Sequence, residues 1–298
     1  MVTSMVRKFS LINADNATWD FTDPAEKIFA SNPAGLGLSL SAETIRLGDK
    51  LKVTESKYEF VNKTFDVLFY GDTLREMYAD YNRFVDFITV GDISLLYEIP
   101  SQDTKYRIKV LVSELTKTEV KDNGYMTCGL SLTPLSFWED NEKRVIEISS
   151  SSAVADGKHY PLERPYFYGE SGFGDVEINI TGNMETPFEI TIDGETTDPQ
   201  YSLFGNNNTP VGVGGFNGTF GYVYVNSDEI DEEIILKNTS DVELAHPYNY
   251  QDLRIGDNET TKVTFFNLKK GYNRLSFNLG GTFEGSIKIE WRNRYISV

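Results

Sequence analysis

The sequence predicts a mainly β protein: an N-terminal β-domain with one α-helix, followed by a β-sandwich with an extension. Three observations lead there. Aromatic residues make up 13% of the 298 residues, with 17 Tyr and 19 Phe, and aromatic side chains suit the pleated surface of a strand. The 24 glycines provide for many turns. Short apolar/polar alternations recur along the chain, whereas a clear helical period appears in one segment.

The elements follow in order. Met5 to Leu11 and Thr18 to Phe21 read as strands on either side of the turn residues Asp15-Asn16. In residues 33–40, Leu36, Leu38 and Leu40 alternate and so share one strand face. Gly35 and Gly37 between them mark a tight bend or a close backbone neighbour. Glu59 to Tyr70 is a further strand. The helix begins at Thr73. Leu74, Met77, Tyr78, Tyr81, Phe84, Val85 and Ile88 form one apolar face at the 3.6-residue period. Thr73 with Glu76 reads as a capping box, and Gly91 follows the last periodic residue as a stop.

Strands resume at Ser94 to Ile99, which ends at Pro100. Tyr106, Ile108, Val110 and Val112 alternate with Lys105, Arg107, Lys109 and Leu111, the pattern of a half-buried strand. Asp122-Asn123-Gly124 predicts a hairpin turn, with Tyr125 to Leu132 as the return strand. Pro134 and the acidic stretch Glu139-Asp140-Asn141-Glu142 change the composition. This predicts domains at 1–138 and 139–298.

The second half reads as strand and turn: Arg144 to Ile148, Val176 to Ile180, Phe188 to Ile192, Phe220 to Val225, Ile234 to Lys237, Val263 to Leu268, Arg274 to Leu279 and Ser286 to Ile296. In the last, Ile287, Ile289, Trp291 and Tyr295 share a face opposite Lys288, Glu290, Arg292 and Arg294. Many short strands between turns predict a sandwich or barrel. Asp193 to Asn217 differs. Asn206 to Asn208, Pro210 and the glycines 212, 214, 215 and 218 read as a long loop leaving the sandwich.

Composition excludes several chemistries. Lys+Arg number 28 against 45 Asp+Glu, a net charge of −17, which opposes gripping the phosphates of nucleic acid. Cys128 is the single cysteine, so neither an internal disulfide nor a cysteine-cluster zinc site forms. Cys128 itself reads as a small buried apolar residue. No run of about 18 apolar residues is present, so membrane insertion is not expected. The first twenty residues lack the apolar stretch of a secretory signal.

Catalytic sets are thin, and the expectation is that the protein is not an enzyme and binds no cofactor. The sequence holds no Gly-x-Ser-x-Gly, no phosphate-binding Gly/Lys/Ser loop and no His-Glu-x-x-His. The glycine run 212–218 has neither the spacing nor the following helix of a dinucleotide site, and reads as a flexible loop. His159 and His246 sit in turn-like aromatic surroundings and read as structural or surface residues. Asp228 to Glu233 carries acids enough for a calcium site but lacks the Asp-x-Asp-x-Asp-Gly spacing, so it reads as a solvated turn. Paired carboxylates of a glycosidase remain an alternative that sequence alone cannot place.

The first ~140 residues resemble the distal tail proteins of siphophages that infect Gram-positive bacteria, of the lactococcal type. The resemblance runs in order through Gly35-Leu-Gly-Leu, Phe65-Asp-Val-Leu-Phe-Tyr70, the helix with Tyr78, Tyr81, Phe84 and Phe87, then Leu95-Leu-Tyr97 and the alternation from Tyr106 to Val112. Leu115-Thr-Lys-Thr-Glu119 through Gly124 to Leu135-Ser-Phe-Trp138 is its most specific part. Gly182-Asn-Met-Glu-Thr-Pro-Phe-Glu-Ile, Leu268-Lys-Lys-Gly-Tyr-Asn-Arg-Leu and Ile289-Glu-Trp-Arg-Asn-Arg-Tyr-Ile extend it more loosely.

The resemblance implies a homo-hexameric ring built by the N-terminal domain, with a galectin-like sandwich outside it. It implies a virion location at the tail tip, as the baseplate hub during host attachment and DNA passage, after synthesis in the host cytoplasm. The implied partners are the tail tube protein, the receptor-binding protein and a tail-associated lysin or fibre protein. Galectin-type sugar binding is not implied, since no strand pairs a His-x-x-x-Arg with Trp291. The alternative is a carbohydrate-binding adhesion module.

The match is weakest over Asp193 to Ser227, which carries Tyr201, Phe204, Phe216, Phe220, Tyr222 and Tyr224. Linkers do not carry so many large aromatics, and aromatics anchor interfaces. The expectation is an arm over 193–227 that grips the receptor-binding protein through these six residues. The alternative is a hairpin packed on its own domain.

Overall fold

The computed structural model describes residues 7–22, 27–118, 125–149, 174–204, 210–244, 265–280 and 283–298. The chain divides into two units, Met1–Asn141 with Tyr295–Val298, and Glu142–Arg294. The hairpin turn at 122–124, His159 and His246 lie outside the described residues.

The first unit runs β1 (Lys8–Ile12), β2 (Thr18–Asp20), β3 (Ile28–Ala34), β4 (Ser39–Leu47), β5 (Lys50–Glu59), β6 (Lys63–Tyr70), α1 (Leu74–Ile88), β7 (Ile93–Ile99), β8 (Thr104–Leu115), β9 (Tyr125–Pro134) and β10 (Trp138–Asp140). An antiparallel sheet has the order β2-β1-β7-β8-β9-β6-β3, and β10 pairs with β8. The alternation predicted for β8 turns Ile108 and Val110 inward. Cys128 is fully buried on β9, and burial pushes its thiol up to about 11.

Helix α1 is built as its sequence requires. The Thr73 side chain accepts the Glu76 N–H at 3.2 Å. The Glu76 carboxylate reaches back to the Asp72 N–H at 3.2 Å, one residue before the position of a reciprocal capping box. Phe84 is the anchor, with ring centroids 5.3 Å from Trp19, 5.9 Å from Phe21 and 5.7 Å from Phe69. The buried face is the predicted one with one exception at each end: Met77 and Phe84 are buried and Tyr78, Tyr81 and Ile88 pack against the core, whereas Leu74 in the first turn is exposed and Phe87 joins the buried set. Phe87 is drawn in by Trp19, whose ring packs on it at 5.4 Å.

The second unit runs β11 (Arg144–Ser149), β12 (Asp175–Ile180), β13 (Phe188–Thr197), β14 (Gln200–Phe204), β15 (Pro210–Gly215), β16 (Thr219–Asn226), β17 (Glu233–Lys237), β18 (Gly271–Asn278) and β19 (Gly285–Trp291). Two antiparallel sheets, β11-β19-β13-β16-β17 and β12-β18-β14-β15, share one apolar core. Ile190, Ile192, Ile287 and Ile289 enter it from the first, and Ile178, Leu203 and Leu275 from the second.

Three readings of this half are corrected. The described residues of 193–227 do not form an arm: they are the end of β13 and strands β14, β15 and β16 within the two sheets. Of the strand expected over Val263 to Leu268, the described part contributes one isolated bridge, Thr186 to Leu268. The expected strand Ser286 to Ile296 is broken: β19 stops at Trp291 and a separate two-residue strand, Arg294–Tyr295, follows, in which Arg294 is buried, against the expected outward row.

The glycine-rich run is not a loop either. Gly212 and Gly214 lie in β15, and a Cβ at Gly214 would stand 2.2 Å from the Tyr201 ring. At Gly212 it would stand 2.5 Å from the Phe266 ring. The missing side chains are the space in which two aromatics lie, so the run is rigidly specified.

Candidate assembly interface

Strands β4 and β5 form a separate two-stranded sheet, paired with no other described strand. The turn is Gly48-Asp49, between Leu47 and Lys50. Gly48 takes φ +63°, and glycine at the first of two turn residues is the type II′ hairpin pattern. Arg46 Nε donates to the Gly48 carbonyl at 2.9 Å, which steadies the tip. A bulge between Glu43 and Thr44 is closed by the Thr54 hydroxyl, which donates to the Glu43 carbonyl at 3.0 Å.

The register sorts the side chains by chemistry. Leu40 faces Tyr58, Thr44 faces Val53 and Arg46 faces Leu51 on one side. Ser41 faces Lys57, Glu43 faces Glu55, Ile45 faces Lys52 and Leu47 faces Lys50 on the other. One face is therefore mainly apolar, and the other is mainly charged, with Ser41 and, near the tip, Ile45 and Leu47 as its uncharged members. Leu51 is 71% exposed, Val53 57% and Leu40 54%. Leu38 and Phe60, beside the strands, are also exposed, and Phe60 packs on Phe137 at 5.0 Å. An uncovered hairpin is marginal in water on its own, and a contiguous apolar patch of this kind marks an interaction surface.

The sequence reading placed Leu36, Leu38 and Leu40 on a strand but did not follow it into this hairpin. The signal is present in Gly48-Asp49, followed by the alternation Lys50-Leu51-Lys52-Val53.

The six aromatics expected to bind a partner are scattered. Tyr201, Phe216 and Phe220 are corrected to core residues of the second unit. Phe204 is half-buried under the Arg274 guanidinium at 4.5 Å. Tyr222 and Tyr224 are half-buried on β16, opposite Lys237 and Ile235 of β17. Lys237 lies over the Tyr222 ring at 5.1 Å. Burial, with Glu189 and Glu233 nearby, pushes the Tyr224 hydroxyl well above the usual phenol range.

The acidic turn has a specific owner. Arg294 places Nη2 2.8 Å from Asp228 and Nη1 2.8 Å from Glu229, and Asn267 also donates to Glu229. Burial raises the Glu229 carboxyl, but Arg294 outweighs it and holds the group below the usual range. Among the described residues, no cluster of three or more His, Cys, Asp or Glu is arranged to hold a metal ion. No described helix is long and apolar enough to cross a membrane.

A family model described as the distal tail protein, N-terminal domain, matches residues 8–135. No curated protein matches the chain. A chain of the phage P2 baseplate, solved in its activated conformation with calcium, superposes with a TM-score of 0.63 at 16% identity, covering 99% of this chain and 100% of that one. The Dit protein of phage SPP1, described as a paradigm of the hub adsorption apparatus in phages infecting Gram-positive bacteria, gives 0.63 at 11% identity, covering 95% and 98%.

Proposed function

We propose, on the match of residues 8–135 to the N-terminal domain of the distal tail protein, that the chain is the structural hub of a siphophage baseplate, at the virion tail tip. In this reading six copies close a ring through the first unit. The second unit is a galectin-like sandwich carried outside the ring. The ring joins the tail tube protein to the receptor-binding protein and to a tail-associated lysin or fibre protein. The role is mechanical rather than catalytic, and the net charge of −17 suits a ring through which DNA must pass without adhering.

The observation that carries this reading is the amphipathic β4–β5 hairpin. Its apolar face has no cover among the described residues, and a closed ring supplies each hairpin with a neighbour. Burying one such side chain contributes about 1.5–3 kcal/mol. Light-scattering mass of the full chain tests this. A hexamer, or a multiple of it, is expected for the wild type, with loss of assembly in Leu51→Ser/Val53→Ser. A strict monomer at high concentration, or a double variant that assembles like the wild type, overturns it.

A further inference from the structure

The tip of the β4–β5 hairpin is built differently from its stem. On the face opposite the apolar one, Leu47 pairs with Lys50 and Ile45 with Lys52. Leu47 is 58% exposed and Ile45 46%. Leu51 and Val53 stand open on the other face, so the last residues before and after the turn carry large uncovered apolar side chains on both sides. The stem carries none on the charged face, where Ser41 meets Lys57 and Glu43 meets Glu55. A hairpin laid flat on a partner buries one face and leaves the other in water, where leucine and isoleucine gain nothing. A tip that is apolar on both faces is the pattern of a strand pair covered from both sides.

The tip is also basic. Arg46, Lys50 and Lys52 surround the turn against one acid, Asp49, and all four are exposed. No described carboxylate lies within 4.0 Å of the three cationic groups, whereas Lys57 in the stem pairs with Glu55 at 2.7 Å. This local sign reverses that of the chain, which has 45 Asp+Glu to 28 Lys+Arg. Copies of so acidic a chain repel one another, and a basic tip makes the encounter attractive where it touches a neighbour. We propose that a second copy of the chain encloses the hairpin tip, with Ile45 and Leu47 covered on one side, Leu51 and Val53 on the other, and Arg46, Lys50 and Lys52 paired with its carboxylates. The inference rests on the ring reading above, which needs one face covered, and adds the second face and the charge. The partner is a second copy because the tip continues the apolar face assigned to the ring contact, and because the acidic chain itself supplies the complementary charge. The competing role for these lysines is to deter edge pairing, and a glutamate would serve that purpose as well.

The experiment compares full-length wild type, Ile45→Ser/Leu47→Ser, Leu51→Ser/Val53→Ser and Lys50→Glu/Lys52→Glu. Light-scattering mass is followed across concentration at low and high salt, with thermal melting of the dilute, dissociated chain as the folding control. Ile45→Ser/Leu47→Ser is expected to raise the half-assembly concentration tenfold or more. Lys50→Glu/Lys52→Glu is expected to do the same at low salt, with a smaller deficit at high salt, where the charges are screened. Neither should lower the dilute melting temperature, since the hairpin pairs with no other described strand. If Ile45→Ser/Leu47→Ser assembles as the wild type while Leu51→Ser/Val53→Ser does not, the contact covers one face only: the proposal fails and the ring reading stands. If Lys50→Glu/Lys52→Glu assembles as the wild type, the lysines only guard the hairpin and the proposal fails. A monomeric wild type, or normal assembly in both serine variants, overturns both readings. Should Ile45→Ser/Leu47→Ser not fold, the single change Leu47→Gln decides: weakened assembly supports the enclosed tip, and unchanged assembly overturns it.

Discussion

Arg294 holds Asp228 at 2.8 Å with a guanidinium whose side chain is 5% exposed. Glu229 takes the other arm at 2.8 Å. This clamp closes the acidic turn onto the end of the last long strand. Arg294→Met should therefore destabilise the protein by about 3 kcal/mol, because a partly buried carboxylate loses its counter-charge. Urea unfolding measures it, and an unchanged midpoint would remove the clamp from the account.

The clamp also gives a pH signature. The folded Glu229 carboxyl lies below its unfolded value, so the pair's contribution is present above the unfolded pKa and is lost as pH falls through the folded one. Melting temperature should fall more steeply in the wild type than in Arg294→Met as pH drops below about 5. Parallel slopes would assign the acid sensitivity to other carboxylates.

Phe84→Ala should cost about 3–5 kcal/mol. Its ring is fully buried and meets Trp19, Phe21 and Phe69. A soluble variant with the wild-type melting temperature would show that α1 is not packed on the sheet.

Gly214→Ala should destabilise by about 1–3 kcal/mol, as overpacking does, since the new methyl falls on the Tyr201 ring. Gly37→Ala is the control, because a Cβ there meets nothing within 4 Å. Equal melting temperatures for the two variants would place β15 elsewhere.

What was legible in the sequence is what local periodicity encodes. Helix α1 could be read because Met77, Tyr81 and Phe84 recur at its own period and Thr73 caps it. Strand β8 could be read because Ile108 and Val110 alternate with charged residues. Gly212 and Gly214 could not, because a glycine under an aromatic ring is explained only by Phe266 and Tyr201, which come from other parts of the chain. Arg294 was misplaced for the same reason: its partners lie 65 and 66 residues away in the chain. The candidate interface was half legible. Its turn and alternation are local, but that none of the described residues covers Leu51 and Val53 is a property of the fold.

The second unit interrupts the first, which takes back Tyr295–Val298 after the sandwich is complete. Tyr295 packs on Tyr106 at 5.2 Å and donates its hydroxyl to Asp140 at 3.0 Å. During synthesis those contacts must wait until the ribosome has made every residue of the insert. The N-terminal unit, though first to emerge, is thus among the last parts to be finished. A nascent chain released before Tyr295 would leave Tyr106 and Asp140 without these contacts. Translation itself then acts as a timer that seals the first unit only after the complete sandwich has been made.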